Sequence, residues 1–192
     1  MGLFGDLLVL VVSLAIVGQH IWATRDHFVS KKMAPLALAL GLLVVATTLI
    51  FSVLLFFFEA PAATTIIGLV LELASLALFW AAIRTSRQAK LLFAFDPGLP
   101  HGLLDVGPYR YVRHPFYTSY LLFWIGWALA IWSVWTLPLL LLFIAFYVAA
   151  ATGEERKFAA TDLGGDYASY RRRAGLFWPK LPAFTARQSV RE

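Results

Sequence analysis

Two clusters of ionisable residues flank the last two apolar blocks of the sequence. Arg113 and His114 stand directly before Pro115 at the start of one block, and Glu154 and Glu155 follow the other. Pro115 disfavours helix at His114 and fits the first turn of a helix, so the two cations should stand at a helix N-terminus. Free N–H groups, the helix dipole, a guanidinium and an imidazole together bind carboxylates and phosphates. The first cluster therefore predicts an anion site.

The two acids should lie close to this anion site. If the two apolar blocks form an antiparallel hairpin, the start of the first and the end of the second reach the same face of the membrane. Cations and carboxylates would then line one pocket. Such a pocket suits a ligand that carries both an anionic and a cationic group, and an amino acid moiety is one example.

Five apolar blocks must position these clusters. An apolar run near 20 residues, at a rise of about 1.5 Å each, matches a hydrocarbon core of about 30 Å. The fourth block is short for a bilayer unless a neighbouring helix shields it. The sequence predicts an all-α polytopic membrane protein with five transmembrane helices, and with helices 4 and 5 as a tight hairpin. The blocks are Leu3–Trp22, Met33–Phe58, Ala62–Ile83, Phe116–Ile131 and Leu137–Thr152.

The basic residues set the expected orientation. With the N-terminus outside, segments 23–33, 84–115 and 153–192 lie on the cytoplasmic side and carry all sixteen Lys and Arg residues. Cytoplasmic loops are enriched in these residues, so we expect an outer N-terminus and a cytoplasmic C-terminus, in the inner membrane of a cell or the endoplasmic reticulum. Segment 84–115 and the C-terminal segment should form a cytoplasmic pocket. A four-span topology with a re-entrant hairpin remains an alternative.

Composition excludes several classes of protein. The chain is 60% hydrophobic and 14% charged, against about 25% charged in soluble domains, and its mean hydropathy is +0.76. The cytoplasmic bias and anionic membrane lipids account for the net charge of +5, so we expect no nucleic-acid partner. The absence of cysteine excludes disulfides and thiolate chemistry. The histidine spacing predicts no metal site, and no glycine-rich nucleotide motif occurs.

Local signals predict details around the fifth helix. A tight turn at Trp132–Thr136 should join helices 4 and 5, with Thr136 as the N-cap of helix 5. Helix 5 should continue beyond the membrane through Glu154 and Glu155, because no Pro interrupts it. We expect Gly164-Gly165 to act as a helix stop, followed by a polar tail.

Polar residues inside the apolar blocks need partners. We expect Gln19 and His20 to hydrogen-bond a neighbouring helix. A carboxylate within a span is a functional candidate by default, but Glu72 is better explained as a structural group, protonated or bonded to a nearby hydroxyl. The hydroxyls expected for this bond belong to Ser75, Thr47 and Thr48.

At the cluster residues the sequence resembles the isoprenylcysteine carboxyl methyltransferase and phospholipid methyltransferase families of integral membrane enzymes. The resemblance covers roughly residues 99–182 and leaves the first three helices as matches in hydropathy alone. One position departs, because Ser119 stands where these families usually have Gly. The matching residues are His101, Leu103, Gly107, Tyr109, Arg113-His114-Pro115-Phe116-Tyr117, Glu154-Glu155, and Gly164 to Tyr170 with the basic run Arg171–Arg173.

The resemblance implies methyl transfer from S-adenosylmethionine to a lipophilic acceptor that arrives from the bilayer. No metal is needed, because an in-line displacement depends on alignment and on exclusion of water. One integral membrane domain over 1–192 would then comprise a three-helix part over 1–83, a catalytic part over 84–182 and a polar tail over 183–192.

The resemblance also implies roles for individual residues. Arg113 and Arg173 would orient a carboxylate acceptor, and Glu155 or a tyrosine would take the proton of an amine acceptor. The cofactor would be held by His101, Leu103, Gly107, Tyr109, His114, Pro115, Tyr117, Glu154 and Glu155.

The acceptor stays open between three classes of molecule. The first expectation is the carboxylate of an isoprenylcysteine-like substrate, the second a phospholipid amine, and the third a small apolar thiol or another lipid. Membrane lipids are expected partners, and the sequence does not fix the oligomeric state. Two other functions compete. A sterol-type membrane reductase that uses NADPH shares an Arg-His-Pro-x-Tyr segment but has more spans and lacks the Glu-Glu spacing, and a non-enzymatic membrane subunit would tolerate Arg113→Ala and Glu155→Ala.

Overall fold

Helices make up most of the chain. A computed structural model describes residues 2–26, 34–87 and 102–180, and within these ranges the expected all-α class is confirmed. Within these ranges, Val112 and Gly175 form an isolated parallel β-bridge. The helices are α1 (Leu3–Asp26), α2 (Pro35–Leu54), α3 (Ala62–Ser86), α4 (Pro115–Ile131), α5 (Leu137–Ala159) and α6 (Gly164–Arg173), with 3-10 turns at Gly107–Arg110 and Val134–Thr136.

Four helices of the described ranges are long and apolar enough to cross a membrane. They are α1, α2, α3 and α5, the last together with the turn before it. The apolar helix α4 has 17 residues and is shorter than these spans. An integral membrane protein is therefore indicated, whereas the five-span count and the outer N-terminus stay predictions.

The short helix α4 lies at the centre of the helical bundle. Thirteen of its 17 residues are buried, and the ring of Trp124 stacks on Phe143 of α5 with 4.3 Å between ring centroids. Phe51 of α2 contacts the edges of Trp124 and Trp127. Because the other helices surround α4, most of its surface never has to match the thickness of the hydrocarbon core. This shielding explains how a helix of this length can be accommodated.

The closest packing of α4 is with α3, which the sequence analysis did not predict. A Cβ atom added to Gly68 would lie 2.5 Å from the carbonyl oxygen of Gly126, and one added to Gly126 would lie 2.7 Å from that of Gly68. The two backbones thus touch at this pair of glycines, and Ala130 extends the contact by one turn. Small residues permit such close approach between membrane helices.

The turn between α4 and α5 lies where it was expected, but its capping differs. Trp132 adopts the left-handed conformation (φ 55°) and its N–H bonds the carbonyl of Ala128, which ends α4. Thr136 occupies the N-cap position, yet its hydroxyl donates to the carbonyl of Ser133 at 2.7 Å and gives α5 no side-chain cap. The prediction of Thr136 as the N-cap residue is confirmed by its position, but its side chain does not cap the helix. The preceding 3-10 turn offers the hydroxyl a nearer acceptor.

Glu72 lies buried beside the contact between α3 and α4. Ser13 of α1 donates to both of its carboxylate oxygens, at 3.0 and 3.1 Å. The expectation that Glu72 is bonded to a hydroxyl is confirmed, but the expected partners Ser75, Thr47 and Thr48 are wrong. The chosen hydroxyl comes from a helix distant in sequence, which the pattern of neighbouring residues could not indicate.

The two polar residues near the end of α1 behave differently. Gln19 accepts a hydrogen bond from the indole nitrogen of Trp80 in α3, at 2.5 Å, as expected. The Nε2 atom of His20 is buried without a hydrogen-bond partner in the described part of the chain. Its ring lies instead among aromatic rings of α3 and α4, nearest those of Tyr120 and Phe79 at 4.6 and 4.9 Å. The hydrogen bond predicted for His20 is therefore wrong.

The segment after α5 contradicts one expectation and confirms another. Helix α5 does extend beyond Thr152, to Ala159. Gly164-Gly165 is not a helix stop, because α6 begins at Gly164. Tyr167 is buried with its ring stacked on Phe158 at 4.5 Å, and the acidic first turn and basic last turn of α6 suit the helix dipole. Tertiary burial outweighs the weak helix propensity of glycine here.

We predict that Gly126→Leu strongly destabilises the bundle. The new side chain would meet the backbone of α3, which cannot move aside as a flexible side chain can, and overpacking of this kind costs about 1–3 kcal/mol or more. Thermal unfolding in detergent should show a midpoint several degrees below that of the wild type. Gly18→Leu is the matched control, since its Cβ meets no atom within 4 Å. Equal midpoints for the two variants would contradict the close helix contact.

Candidate active site

The loop before α4 is shaped by a glycine at its turn. Gly107 has φ +57°, and a Cβ there would lie 2.5 Å from Oγ1 of Thr85 at the end of α3. Only glycine can adopt this positive φ and also leave room for the side chain of Thr85 without strain. The 3-10 turn that follows buries Tyr109 against the apolar end of α3, beside Phe79 and Phe116. The loop is thus fixed on α3 before the chain enters α4.

The C-terminal tail is fastened along the same loop. Gly175 accepts from the N–H of Arg113 at 2.8 Å and donates to the carbonyl of Tyr111 at 3.0 Å, and the N–H of His114 reaches the carbonyl of Leu176 at 3.3 Å. A Cβ at Gly175 would collide with the backbone of Trp178. This pairing places the tail directly beside the N-terminus of α4.

Two side-chain hydrogen bonds secure the loop and the tail. The hydroxyl of Tyr170 in α6 donates to the carbonyl of Tyr109 at 2.6 Å. The hydroxyl of Thr118 in α4 donates to the carbonyl of Phe177 at 3.0 Å. Burial raises the pKa of Tyr170 well above its ordinary value, so its hydroxyl keeps the donated proton at physiological pH.

Arg113 and Glu155 form the central ion pair of this region. Nε of Arg113 lies 2.8 Å from Oε1 of Glu155, and the two side chains are only 7% and 9% exposed. The guanidinium also donates to the carbonyl of Ala174 at 2.5 Å. Arg171 approaches the other carboxylate oxygen of Glu155 at 3.6 Å. One buried pair therefore joins the start of α4, the end of α5 and the tail.

His114 lies between the two acids. Its Nδ1 is 3.4 Å from Glu154 and its Nε2 is 3.4 Å from Glu155. Burial disfavours the charged imidazole, but the hydrogen bonds and charges of the two carboxylates outweigh burial and raise the pKa of His114 above 6.5. His114 therefore holds its proton to a higher pH than a free histidine does.

Glu154 is the more accessible of the two acids. The hydroxyl of Tyr117 in α4 donates to its carboxylate, and its side chain is 31% exposed. The ring of Tyr117 stacks between those of His114 and Tyr147, with centroids 5.5 and 5.4 Å away. Because this carboxylate is partly exposed, it can attract a cation by its charge.

The structure brings together most of the residues singled out in the sequence. Arg113, His114, Tyr117, Glu154 and Glu155 form one cluster, and Gly107, Tyr109 and Pro115 shape the loop and the helix start that support it.

Two of the predicted residues, Leu103 and Arg173, lie outside this cluster. His101 falls outside the described residues. Leu103 packs on the buried Tyr167 and Tyr170 of α6. The side chain of Arg173 is 68% exposed and contacts Asp105 at 3.4 Å, whereas Arg171 is the member of the basic run that reaches Glu155.

Sequence patterns did not indicate Tyr147, Gly175 or Thr118. Tyr147 lies two helical turns before Glu154 on the same face of α5, and this spacing could have indicated it. The roles of Gly175 and Thr118 depend on backbone pairing between segments far apart in sequence, which no local pattern reveals. Ser119, the departure from the family pattern, is buried and donates to the carbonyl of Phe116 within its own helix at 2.7 Å.

Comparison with known proteins identifies the class of site. A family model described as phospholipid methyltransferase matches residues 63–164, a little over half of the chain. The chain belongs to the phospholipid methyltransferase family. Membership indicates a membrane methyltransferase. Comparison with curated proteins and with solved structures found no match.

The family match also corrects the expected extent of the resemblance. In this phospholipid methyltransferase family member the match begins in α3, not near residue 99. The contact of α3 with α4 at Gly68 and Gly126, and with the loop at Gly107, gives a structural reason for including α3. Within the described residues no group of three or more His, Cys, Asp or Glu side chains could hold a metal ion.

We predict that Glu155→Gln costs far more stability than Asp105→Asn. Removing one partner of a buried ion pair leaves the other charge uncompensated and costs about 3–5 kcal/mol, whereas an exposed pair such as Arg173 with Asp105 contributes about 0–1 kcal/mol. Chemical denaturation in mixed micelles measures both effects. Similar losses from the two substitutions would contradict a central role for the buried pair.

The pH dependence of stability should report His114. Because its pKa in the folded protein is raised above 6.5, the stability it contributes is fully present below about pH 6.5 and is lost as the pH rises through the folded-state pKa. The thermal midpoint of the wild type should therefore exceed that of His114→Gln most at low pH. A gap that stays constant or widens with increasing pH would exclude a protonated His114 between the two acids.

Proposed function

We propose that this membrane protein transfers a methyl group from S-adenosylmethionine to the amine of a membrane lipid. The observation that supports it most is the accessible carboxylate of Glu154, held by Tyr117 and His114 beside stacked aromatic rings. Family membership supplies the reaction class. The geometry bears on which groups of the cofactor and of the acceptor these residues can bind.

The groups that line the site suit S-adenosylmethionine. Its sulfonium is a cation, which the carboxylate of Glu154 would attract. Its carboxylate would suit the N-terminus of α4 and the guanidinium of Arg171, which is 65% exposed. The resemblance also implies cofactor contacts for His101, Leu103 and Pro115, and we include these contacts in the proposal.

An amine acceptor is favoured over a carboxylate acceptor by the engagement of Arg113. The resemblance implies that Arg113 orients a substrate carboxylate, but its guanidinium is buried and bonded to Glu155 and to the carbonyl of Ala174. We assign Arg113 and Glu155 a positioning role. Glu154 remains as the acid that an amine can reach. Arg173 contacts Asp105 at the protein surface instead.

In this reaction we assign Glu154 the role of proton acceptor. When bound, S-adenosylmethionine supplies an electrophilic methyl group, which the lone pair of the amine nitrogen takes while the electrons of the broken C–S bond remain on sulfur. The amine must lose a proton for each methyl it gains. Glu154 accepts that proton and releases it to water, while Tyr117 and His114 keep the carboxylate oriented.

Labelled S-adenosylmethionine tests the proposal directly. The purified full chain, in nanodiscs that contain phosphatidylethanolamine, should bind the cofactor and transfer label to the lipid amine. A parallel assay with a farnesylcysteine acceptor separates the two acceptor classes. Binding of NADPH in place of S-adenosylmethionine, or labelling of the farnesylcysteine carboxylate alone, would overturn the proposal.

Glu154→Gln should reduce methyl transfer by about two orders of magnitude or more, because general acid–base groups contribute about 10²–10⁴-fold. Tyr117→Phe removes the hydroxyl that orients Glu154 and should cause a smaller loss. Glu59→Gln is the matched control, since Glu59 is exposed in the turn between α2 and α3. The initial rate of label transfer measures all three, and an unchanged rate in Glu154→Gln would remove Glu154 from the reaction.

A further inference from the structure

Exposed cations and exposed aromatic rings gather where the tail turns back beside the end of α6. Three of these residues are basic and two are aromatic, and each is exposed to solvent. We name these five residues the basic–aromatic patch. They are Arg110 and Tyr111 in the loop before α4, Arg172 in the last turn of α6, and Trp178 and Lys180 in the tail.

The backbone around Gly175 brings the parts of the patch together. The N–H of Gly175 donates to the carbonyl of Tyr111 at 3.0 Å, and a Cβ on this glycine would collide with the carbonyl of Trp178. The chain therefore turns back sharply after Gly175. The turn returns Lys180 to α6, where its Nζ donates to the carbonyl of Arg172 at 3.2 Å.

The protein does not neutralise the two best-defined cations of the patch. Arg172 donates to the hydroxyl of Ser169 at 2.9 Å, and Lys180 donates to the carbonyls of Arg171 and Arg172. In the described part of the chain the partners of both cations are thus uncharged groups. Arg173, in contrast, contacts the carboxylate of Asp105. The positive charge of Arg172 and Lys180 is therefore available to an anion from outside.

The patch lies at the edge of the apolar helices. Phe177, the residue before Trp178, accepts a hydrogen bond from Thr118 near the start of α4. Helix α6 begins at Gly164, directly after the apolar helix α5 ends at Ala159. Tryptophan and tyrosine are enriched at the level of lipid head groups in membrane proteins. The exposed rings of the patch therefore lie at a depth that suits them, next to the cations.

We propose that the basic–aromatic patch binds anionic lipids of the adjacent membrane surface and thereby holds the tail against α4. Charge complementarity supports this partner, because basic residues beside a membrane attract anionic lipids. The exposed rings select a membrane surface over a soluble anion, since an indole ring is favoured at the interface of lipid and water. The proposal needs neither the cofactor nor the acceptor, so it goes beyond the proposed function and can fail separately from it.

Spin-labelled lipids test the partner. The purified full chain, in nanodiscs of phosphatidylcholine, should associate with spin-labelled phosphatidylglycerol in preference to spin-labelled phosphatidylcholine. In the double variant Arg172→Gln with Lys180→Gln this preference should fall about tenfold or more, because each basic residue near an anionic surface is worth about fivefold in affinity. The double variant Arg172→Lys with Lys180→Arg should keep the preference, since both charges remain.

Two exposed cations at the end of α3 provide the matched control. Arg84→Gln with Arg87→Gln removes the same charge from outside the patch and should leave most of the preference intact. Equal losses in the two Gln double variants, or an unchanged preference in the patch variant, would overturn the proposal. Displacement of the labelled phosphatidylglycerol by inorganic phosphate or by a short oligonucleotide, at equal phosphate concentration, would also overturn it.

Tryptophan fluorescence tests the position of the patch. Brominated lipids quench the indole rings that they contact, and the difference between the wild type and Trp178→Phe isolates the signal of Trp178. Brominated phosphatidylglycerol should quench this signal more strongly than brominated phosphatidylcholine does. Trp135, which is 67% exposed in the turn between α4 and α5, is the control and should respond equally to both lipids. A Trp178 signal that neither lipid quenches would overturn the membrane contact.

Thermal unfolding tests the hold on the tail. The wild type should unfold at a midpoint several degrees higher in nanodiscs that contain phosphatidylglycerol than in phosphatidylcholine alone, because bound lipid stabilises the folded state. This gap should close in the double variant Arg172→Gln with Lys180→Gln and persist in Arg84→Gln with Arg87→Gln. A gap of the same size in both variants would show that the anionic lipid acts elsewhere and would overturn the role of the patch.

Discussion

The buried ion pair between Arg113 and Glu155 is the interaction on which the whole candidate site depends. Two charges removed from water are costly unless each is paired and its remaining groups are hydrogen-bonded. Here the guanidinium meets the carboxylate at 2.8 Å and also a carbonyl of the tail. The start of α4, the end of α5 and the tail therefore assemble together or not at all. His114, whose pKa the two acids raise, strengthens the same arrangement.

Glu154 and Glu155 have different roles because they point in different directions from the helix. Successive residues on a helix point about 100° apart, so Glu154 and Glu155 cannot face the same space. Glu155 is neutralised by the cations that hold the loop and the tail. Glu154 keeps partial exposure and takes its orientation from Tyr117. Rigidity and accessibility, which conflict in a single side chain, are thus provided by two neighbouring ones.

The sequence was sufficient for the helices and for the meeting of the two charged clusters, because apolar length and the short link between α4 and α5 are local signals. It was insufficient where partners come from distant segments. The contact of Gly68 with Gly126, the bond from Ser13 to Glu72 and the pairing of Gly175 with the loop belong to this group. By hydropathy alone α4 resembles the other apolar helices, whereas its buried residues place it at the centre of the bundle.

The pairing of Gly175 with Tyr111 and Arg113 has a consequence for biosynthesis. Residues that complete the wall beside α4 are synthesised after all the apolar helices. A chain that ends before Gly175 would contain every apolar helix but lack the strand-like partner of its own loop. Premature termination ahead of Gly175 would therefore yield an anchored but unfinished molecule.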